Sequence, residues 1–256
     1  MEPARITRGG GGLTIARVSE REEADVETSS DAYARRFAGP VGRFFLDVQA
    51  RTTLELLRPF SGASVLDVGG GHAQLAVSVA EAGHPVTVYG SRESCGERVR
   101  DLVAAGRAAF RAGDLLHAPW PDRAFDVVLA FRLLPHVARW RDLVRELSRL
   151  AGRAVVVDYP TRRSVNAVSE AFFAMKKRVE GDTRPFTVFR DAEIEDAFAA
   201  SGFAVTARRP QFVLPMALHR AARAAPLSRV IEGGLRAAGL TSALGSPVVL
   251  RLERRG

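Results

Sequence analysis

The sequence predicts an α/β protein built on a doubly wound, mostly parallel seven-stranded sheet, with helices on both faces and an antiparallel last strand. From Ser64 onward, short apolar runs alternate with amphipathic segments, which is typical of parallel β-α-β units. The first run leads directly into Gly69, Gly70 and Gly71, as expected where a strand turns sharply into a helix. With 256 residues, 46% of them hydrophobic, the chain can bury the core of one such domain.

Composition narrows the functional classes. The formal net charge of +8 could indicate a nucleic-acid partner, but Lys176 and Lys177 are the only lysines. The excess of positive charge therefore comes almost entirely from arginine, as a compositional bias would produce. Nucleic acid is not the expected partner. Cys95 is the only cysteine, which excludes an internal disulfide or a multi-cysteine metal site. No apolar run reaches the roughly 18 residues of a membrane span, and a cytoplasmic location is expected.

The N-terminal thirty residues differ from the rest of the chain. They contain the run Gly9 to Gly12 and an acidic cluster but no sustained apolar periodicity, so we expect residues 1–30 to be a flexible leader. Residues 31–256 are expected to form a single domain. Its first part, from Tyr33 to Leu57, has apolar residues at helical spacing and ends at Pro59, which predicts one or two helices before the sheet.

The later elements follow from local periodicity. The predicted strands are Ser64 to Val68, Val86 to Tyr89, Ala108 to Ala112, Phe125 to Phe131, Ala154 to Tyr159, Phe203 to Thr206 and beyond, and Pro247 to Leu252. The predicted helices include Arg139 to Leu150, which has one apolar stripe, and Asp191 to Ser201, with acids at its start and Gly202 after its end. His84, before Pro85 at a turn, is expected to be solvated.

Two helical insertions are expected, at about 160–190 after the fifth strand and at about 215–240. The first insertion combines phenylalanines and Met175 with arginines and lysines, and Met216 begins the second. We therefore expect the two insertions to line a substrate site together with the N-terminal helices. The basic stretch Met216 to Ala238 could also contact a membrane surface weakly, although a solvated helix face is the more common explanation of such a stretch.

The most informative segment runs from Ser64 to Gln74, an apolar strand that ends in Asp67 and continues into three glycines. Glycines suit a sharp turn and allow a ligand to approach the backbone without a Cβ in the way. A helix expected to begin near His72 would present free N–H groups and the positive end of its dipole. The strand end is therefore a predicted ligand site.

These residues resemble the first motif of the class I S-adenosylmethionine-dependent methyltransferases, which is an acid followed by three glycines at alternate positions. Asp67, Gly69 and Gly71 match this motif, and Ala73 departs from it. The resemblance extends to Gly113-Asp114-Leu115 after the third strand and to the segment Trp120 to Val128 before and into the fourth. It implies S-adenosylmethionine as cofactor, with Asp114 on the adenine amino group, and Phe131 and Arg132 beside the methionine moiety. The implied cofactor-binding set is Asp67, Gly69, Gly70, Gly71, Gly90, Ser91, Asp114, Leu115, Phe131 and Arg132.

The sequence departs from the family at Gly90, where these enzymes usually carry an acid that holds both ribose hydroxyls. Ser91, Glu93 or a water could substitute, or the protein could have lost the activity. Ser91 and Arg92 also resemble residues that bind the 2′-phosphate of NADP, but a dinucleotide fingerprint expects glycine at the position of Gln74.

The resemblance implies methyl transfer to a small, partly apolar acceptor, such as a quinone precursor, a lipid-like molecule or a natural-product intermediate. Such a reaction needs mainly alignment, and a general base is optional; His136, in Leu134-Pro135-His136, is the catalytic candidate. Tyr33 and Arg36 could close over the cofactor, or Tyr33 could belong to a helical core stripe. Two alternatives stay open: a non-catalytic S-adenosylmethionine-binding protein, and a nucleic-acid methyltransferase, although no Asn-Pro-Pro-aromatic signature follows the fourth strand. The oligomeric state is not predicted.

Overall fold

The computed structural model describes residues 21–164, 186–221 and 225–256. Its centre is a seven-stranded sheet in the order β3-β2-β1-β4-β5-β7-β6, in which β1 to β5 run parallel and β7 pairs antiparallel with both β5 and β6. This confirms the predicted fold class. The strands are β1 Val65–Val68, β2 Val86–Gly90, β3 Ala109–Ala112, β4 Phe125–Ala130, β5 Ala151–Tyr159, β6 Phe203–Phe212 and β7 Ser246–Arg254.

The helices lie before, between and after these strands. They are α1 Asp25–Thr28, α2 Asp31–Arg35, α3 Gly39–Leu57, α4 Ala76–Glu81, α5 Arg100–Ala104, α6 Trp140–Leu150, α7 Asp191–Ala200, α8 Met216–Ala221, α9 Ala225–Ala237 and α10 Leu240–Leu244. Short 3-10 turns occur at Arg58–Phe60, Gly70–His72, Glu93–Val99 and Leu134–His136.

The core has one apolar layer on each face of the sheet. On one face, the predicted stripe of α6 is fully buried, with Leu143, Val144 and Leu147 in one cluster with Phe198 of α7. On the other face, Leu56 at the end of α3 clusters with residues of α4 and α5. The strands between these layers are buried on both sides, which explains why β1, β4 and β5 are mostly apolar, with residues 127–130 and 154–157 as unbroken apolar runs.

The folded chain begins earlier than the predicted start at Asp31. Residues 21–30, assigned by the sequence pattern to the flexible leader, pack against the domain and contain α1. Glu22 accepts a hydrogen bond from the Arg139 backbone N–H (3.0 Å), and Glu23 forms an ion pair with Arg92 (2.6 Å). Glu22 and Glu23, two acids of the cluster on which the flexible leader was predicted, therefore bind arginines of the domain.

Three local expectations differ from the structure. The predicted helix near His72 is a 3-10 turn, and α4 begins only at Ala76 because Ala73 takes a left-handed conformation (φ 59°). His84 is buried rather than solvated, with Nδ1 3.0 Å from the carbonyl oxygen of Ala63. Most of the insertion expected at about 160–190 lies outside the described residues. The stretch 215–240 contains α8 and α9, as expected of a helical segment.

Among the described helices, none combines the length and apolar character that a membrane crossing requires. Weak contact of α8 and α9 with a membrane surface stays a prediction.

Candidate active site

Asp67 is the acid at the end of the first strand, in the middle of the sheet. Its side chain is buried, and neither carboxylate oxygen has a hydrogen-bond partner among the described residues. Burial raises the pKa of Asp67 from 3.8 to about 7. A buried carboxylate without a hydrogen-bond partner is costly, so its presence favours a role in binding a charged or hydrogen-bonding group.

The glycine turn after Asp67 is tightly enclosed. Gly69 has φ 72°, a conformation that favours glycine, and its N–H donates to the carbonyl oxygen of Tyr89 (2.8 Å). A Cβ on Gly70 would lie 2.1 Å from Asp67 Oδ2, and a Cβ on Gly71 would lie 2.1 Å from the carbonyl oxygen of Cys95. Side chains at these two positions are therefore excluded by neighbouring atoms of the chain itself.

Gly90 and Ser91 lie at the end of the second strand, next to the glycine turn. Ser91 is buried, and its backbone N–H donates to Asp25 Oδ2 (2.8 Å) while its Oγ lies 3.9 Å from Cys95 Sγ. A Cβ on Gly90 would lie 2.8 Å from the Cys95 Cβ and 3.3 Å from Asp25 Oδ2. The strand end is thus closed by α1, an element that the sequence pattern did not place there.

Asp114 and Leu115 follow the third strand, at the next position along the same edge. Asp114 Oδ1 accepts from the Leu116 N–H (2.9 Å), and Oδ2 lies 3.1 Å from His117 Nδ1. Partial burial alone would raise the pKa of Asp114, but these hydrogen bonds outweigh it and hold the pKa below its usual value. The Tyr89 hydroxyl donates to the Asp114 carbonyl oxygen (3.0 Å), which ties this loop to β2.

Arg132 connects the glycine turn with the far side of the site. It follows the buried Phe131 at the end of β4 and has φ 55°. Its guanidinium donates to the side-chain oxygens of Gln74 and Gln49 (2.7 Å to Gln49) and lies 4.1 Å from the centroid of the Phe37 ring. The residue therefore joins the loop after Gly71 to the N-terminal helices.

A cavity of about 430 Å³ opens beside Arg132. Its walls are mostly aromatic and aliphatic, with a few polar and charged side chains among them. The lining residues are Tyr33, Phe37, Phe45, Gln49, Arg132, Pro135, His136, Asp158, Pro160, Phe186, Gln211, Phe212, Leu214, Pro215, Met216, Ala217 and Pro247. The size and character suit a small, largely apolar molecule with a few fixed polar contacts.

Asp158 is a site residue that the sequence analysis missed. It lies near the end of β5, is buried, and its Oδ1 accepts from the Arg132 backbone N–H (2.6 Å). Burial raises its pKa from 3.8 to about 6, although this hydrogen bond and the Arg132 charge lower it in part. An acid that directly follows four apolar strand residues, Ala154 to Val157, was the signal that could have identified it.

Two predicted residues also line the cavity. The ring of His136 lies 5.4 Å from that of Phe186, which also lines the cavity. Tyr33 is buried, and desolvation raises the pKa of its hydroxyl, opposed by the nearby Arg132 charge. Arg36 instead points its guanidinium over the Tyr33 ring (5.1 Å) and pairs with Glu27 (3.0 Å).

The structure thus separates the predicted residues into two neighbouring sets. Asp67, Gly69 to Gly71, Gly90 and Ser91 meet at the carboxyl ends of β1 and β2, and Asp114 and Leu115 extend this edge past β3. Arg132 and His136 border the apolar cavity on the other side of β1. Ligand sites of open α/β sheets lie at such an edge, where the strand order reverses on either side of β1.

Comparison with known proteins agrees with this geometry. A family model described as a methyltransferase domain matches residues 43–208. The ubiquinone/menaquinone biosynthesis C-methyltransferase of Pseudomonas fluorescens is 29% identical over 134 residues, 48% of this chain and 52% of that protein. The 27-O-demethylrifamycin SV methyltransferase of Amycolatopsis mediterranei is 32% identical over 108 residues, 39% of each chain. The chain therefore spans about half, or less, of the length of these curated relatives.

Solved structures extend the similarity of fold over almost the whole chain. The magnesium protoporphyrin IX methyltransferase of Synechocystis, crystallised with bound S-adenosylhomocysteine, has a TM-score of 0.61 and 14% identity. The match covers 91% of this chain and 98% of that one.

Proposed function

The chain belongs to the class I S-adenosylmethionine-dependent methyltransferases, and we propose that it transfers a methyl group to a small, partly apolar acceptor held in the cavity beside Arg132. The observation that carries this proposal is the position of the cavity. Arg132 lines the cavity, and its guanidinium also donates a hydrogen bond to Gln74, which follows the glycine turn. An acceptor in the cavity would therefore lie next to a cofactor bound at the ends of β1 and β2.

The residues at the glycine turn fit the proposed cofactor. The buried, unpartnered carboxylate of Asp67 suits the cationic end of an amino acid, since an opposite charge stabilises the ionised form. Gly69 supplies a turn without a Cβ, and Asp114 and Leu115 lie at the edge where the adenine is expected. When bound, S-adenosylmethionine supplies a methyl group already activated by its sulfonium.

The chain's own residues then have to orient the acceptor and exclude water. The aromatic and aliphatic walls, among them Phe37, Phe45 and Phe212, would desolvate it, and Arg132 would attract an anionic or electron-rich group. Where the acceptor must lose a proton, Asp158 and His136 are the candidate bases at the cavity wall. Asp158 has the more favourable setting, because its pKa of about 6 leaves it ionised yet basic at neutral pH.

The relatives support a small-molecule acceptor. Their names place one in ubiquinone and menaquinone biosynthesis and give a demethylrifamycin as the molecule that another methylates. For this chain we propose the same class, which includes quinone precursors, lipid-like molecules and natural-product intermediates.

The test is a methyl-transfer assay with a trideuteromethyl-labelled cofactor and a panel of quinone precursors, phenols and lipid-like acids, read by mass spectrometry. We expect a labelled product from at least one acceptor, and a lower rate for Ala217→Trp, which narrows the cavity. Leu218→Trp is the matched control, because Leu218 is 55% exposed and does not line the cavity.

The outcomes separate the alternatives. Tight cofactor binding without any product would favour a non-catalytic binding protein. Labelling of RNA or DNA in preference to every small molecule, with steeply salt-dependent binding, would favour a nucleic-acid methyltransferase.

A further inference from the structure

Asp25 lies on α1, ahead of the predicted start of the domain, and its side chain reaches the end of β2. The residue is fully buried, at 0% exposure. Its Oδ2 accepts a hydrogen bond from the Ser91 backbone N–H (2.8 Å), while its Oδ1 has no partner among the described residues. A buried carboxylate oxygen without a donor is costly, so its position calls for an explanation. The Cys95 thiol is a close neighbour of this carboxylate, which adds to the effect of burial in raising the pKa of the thiol.

The place that this carboxylate occupies is defined by Gly90. A Cβ on Gly90 would lie 3.3 Å from Asp25 Oδ2, so the carboxylate lies where a side chain at the strand end would project. Any acid at position 90 would compete with Asp25 for the same space. The lack of a side chain at Gly90 and the presence of Asp25 are therefore complementary features of one site.

Ion pairs and backbone hydrogen bonds fix the segment around Asp25 against this strand end. Glu23 pairs with Arg92 (2.6 Å), and the Arg21 guanidinium donates to the Ser91 carbonyl oxygen (3.3 Å). On the other side of α1, Asp31 pairs with Arg98 (2.6 Å). Side chains before and after α1 therefore anchor the helix next to the end of β2.

A second polar group on the same segment points to the same site. The buried Ser29 Oγ has no partner among the described residues and lies 2.6 Å from the position of a Cβ on Gly71. Residues 25–29 therefore place a carboxylate and a hydroxyl directly against the glycine turn and the end of β2. Vicinal hydroxyls of a nucleoside would supply the two donors that a carboxylate oxygen pair can accept.

Resting on the proposed function, we infer that Asp25 takes over the role of the acid absent at Gly90 and accepts the hydrogen bonds of the cofactor's ribose hydroxyls. The ribose acid of this chain then comes from an N-terminal helix rather than from the second strand. In that case residues 25–29 form part of the cofactor site and contact the cofactor directly.

The experiment is isothermal titration with S-adenosylhomocysteine and with its 2′,3′-dideoxy analogue, on the unaltered chain and on Asp25→Asn. Asparagine keeps an oxygen for the Ser91 N–H but loses the charge, so the fold is expected to persist, checked by thermal unfolding. The unaltered chain should bind S-adenosylhomocysteine about 10- to 100-fold more tightly than the dideoxy analogue, as for hydrogen bonds to a charged group. In Asp25→Asn this preference should fall to a few-fold at most.

The control is Asp101→Asn, an exposed aspartate on α5, which should keep the full preference. An unchanged preference in Asp25→Asn would overturn the inference and leave the proposed function intact. Tighter binding of both ligands by Asp25→Asn would also overturn it, because α1 would then be blocking the site. Failure of the unaltered chain to bind S-adenosylhomocysteine would instead contradict the proposed function itself.

Discussion

Replacing Asp67 with asparagine should stabilise the ligand-free protein at alkaline pH while weakening cofactor binding. The folded chain raises the pKa of Asp67 from 3.8 to about 7, about 3 units at about 1.4 kcal/mol each, so the ionised side chain costs at most about 4 kcal/mol. The asparagine amide would also be unpartnered in this position, at a cost of about 1–3 kcal/mol. The expected net gain in the free energy of unfolding at pH 8 is therefore about 1–3 kcal/mol.

The pH dependence makes this expectation specific. Because the folded pKa lies above the unfolded one, the folded chain keeps a proton on Asp67 between about pH 4 and pH 7 that the unfolded chain has lost. The contribution of Asp67 to stability is therefore full below about pH 4 and is lost as the pH rises through about 7. His72, whose pKa burial and the Arg132 charge lower to about 3, acts in the opposite direction but is present in both proteins.

The assay is urea unfolding of the unaltered chain and Asp67→Asn at pH 5 and pH 8, followed by circular dichroism. The gain from the substitution should be about 1–3 kcal/mol larger at pH 8 than at pH 5. An equal effect at both pH values, or a larger loss at pH 8, would refute the reasoning. Such a result would mean that Asp67 is ionised and satisfied in the ligand-free fold.

Three further perturbations test other parts of the structure. Asp158→Asn should remove the decline in methyl-transfer rate expected below about pH 6 and lower the rate about 100-fold or more, measured as a pH–rate profile; an unchanged profile would exclude Asp158 as the base. Ala73→Gly should raise the free energy of unfolding by about 0.5–1 kcal/mol, because glycine adopts the φ of 59° at this position without strain. The control Ala80→Gly, within α4, should lower the free energy of unfolding by about 1 kcal/mol. A lower free energy of unfolding in both variants would contradict this expectation. Glu232→Gln should lower the free energy of unfolding by about 1.5–3 kcal/mol, because Glu232 accepts from the Val213 and Leu214 N–H groups and pairs with the buried His219. Glu93 is exposed, so Glu93→Gln should have little effect in the same denaturant titration.

The sequence predicted the sheet well because each strand is specified locally. The segments around Leu66, Val128 and Val156 are short, mostly apolar runs between turn residues. Because these strands are buried on both faces, their residues do not alternate between polar and apolar. The apolar stripe of α6 also predicted that helix correctly, because its residues recur at helical spacing. Where the chain leaves these patterns, as at Ala73, local periodicity predicted a helix start that the left-handed backbone delays to Ala76.

The site was predictable only where one segment carries the signal. Asp67 and the three glycines form a continuous motif, so their proximity needed no tertiary information. Asp25 and Gly90 are 65 positions apart, and a four-residue helix in an acidic, weakly periodic stretch does not predict that its aspartate will be buried against a strand end. The cavity could not be predicted for the same reason: its walls come from α2, α3, β5, β6 and α8, which are distant in the sequence and meet only in the fold.

The most direct test of the central assignment is titration of the purified chain with S-adenosylmethionine, S-adenosylhomocysteine and NADP, repeated on Asp114→Ala. This assignment predicts micromolar binding of both sulfur ligands, at least tenfold weaker binding in Asp114→Ala, and no binding of NADP. No binding of the sulfur ligands, or binding of NADP alone, would contradict it.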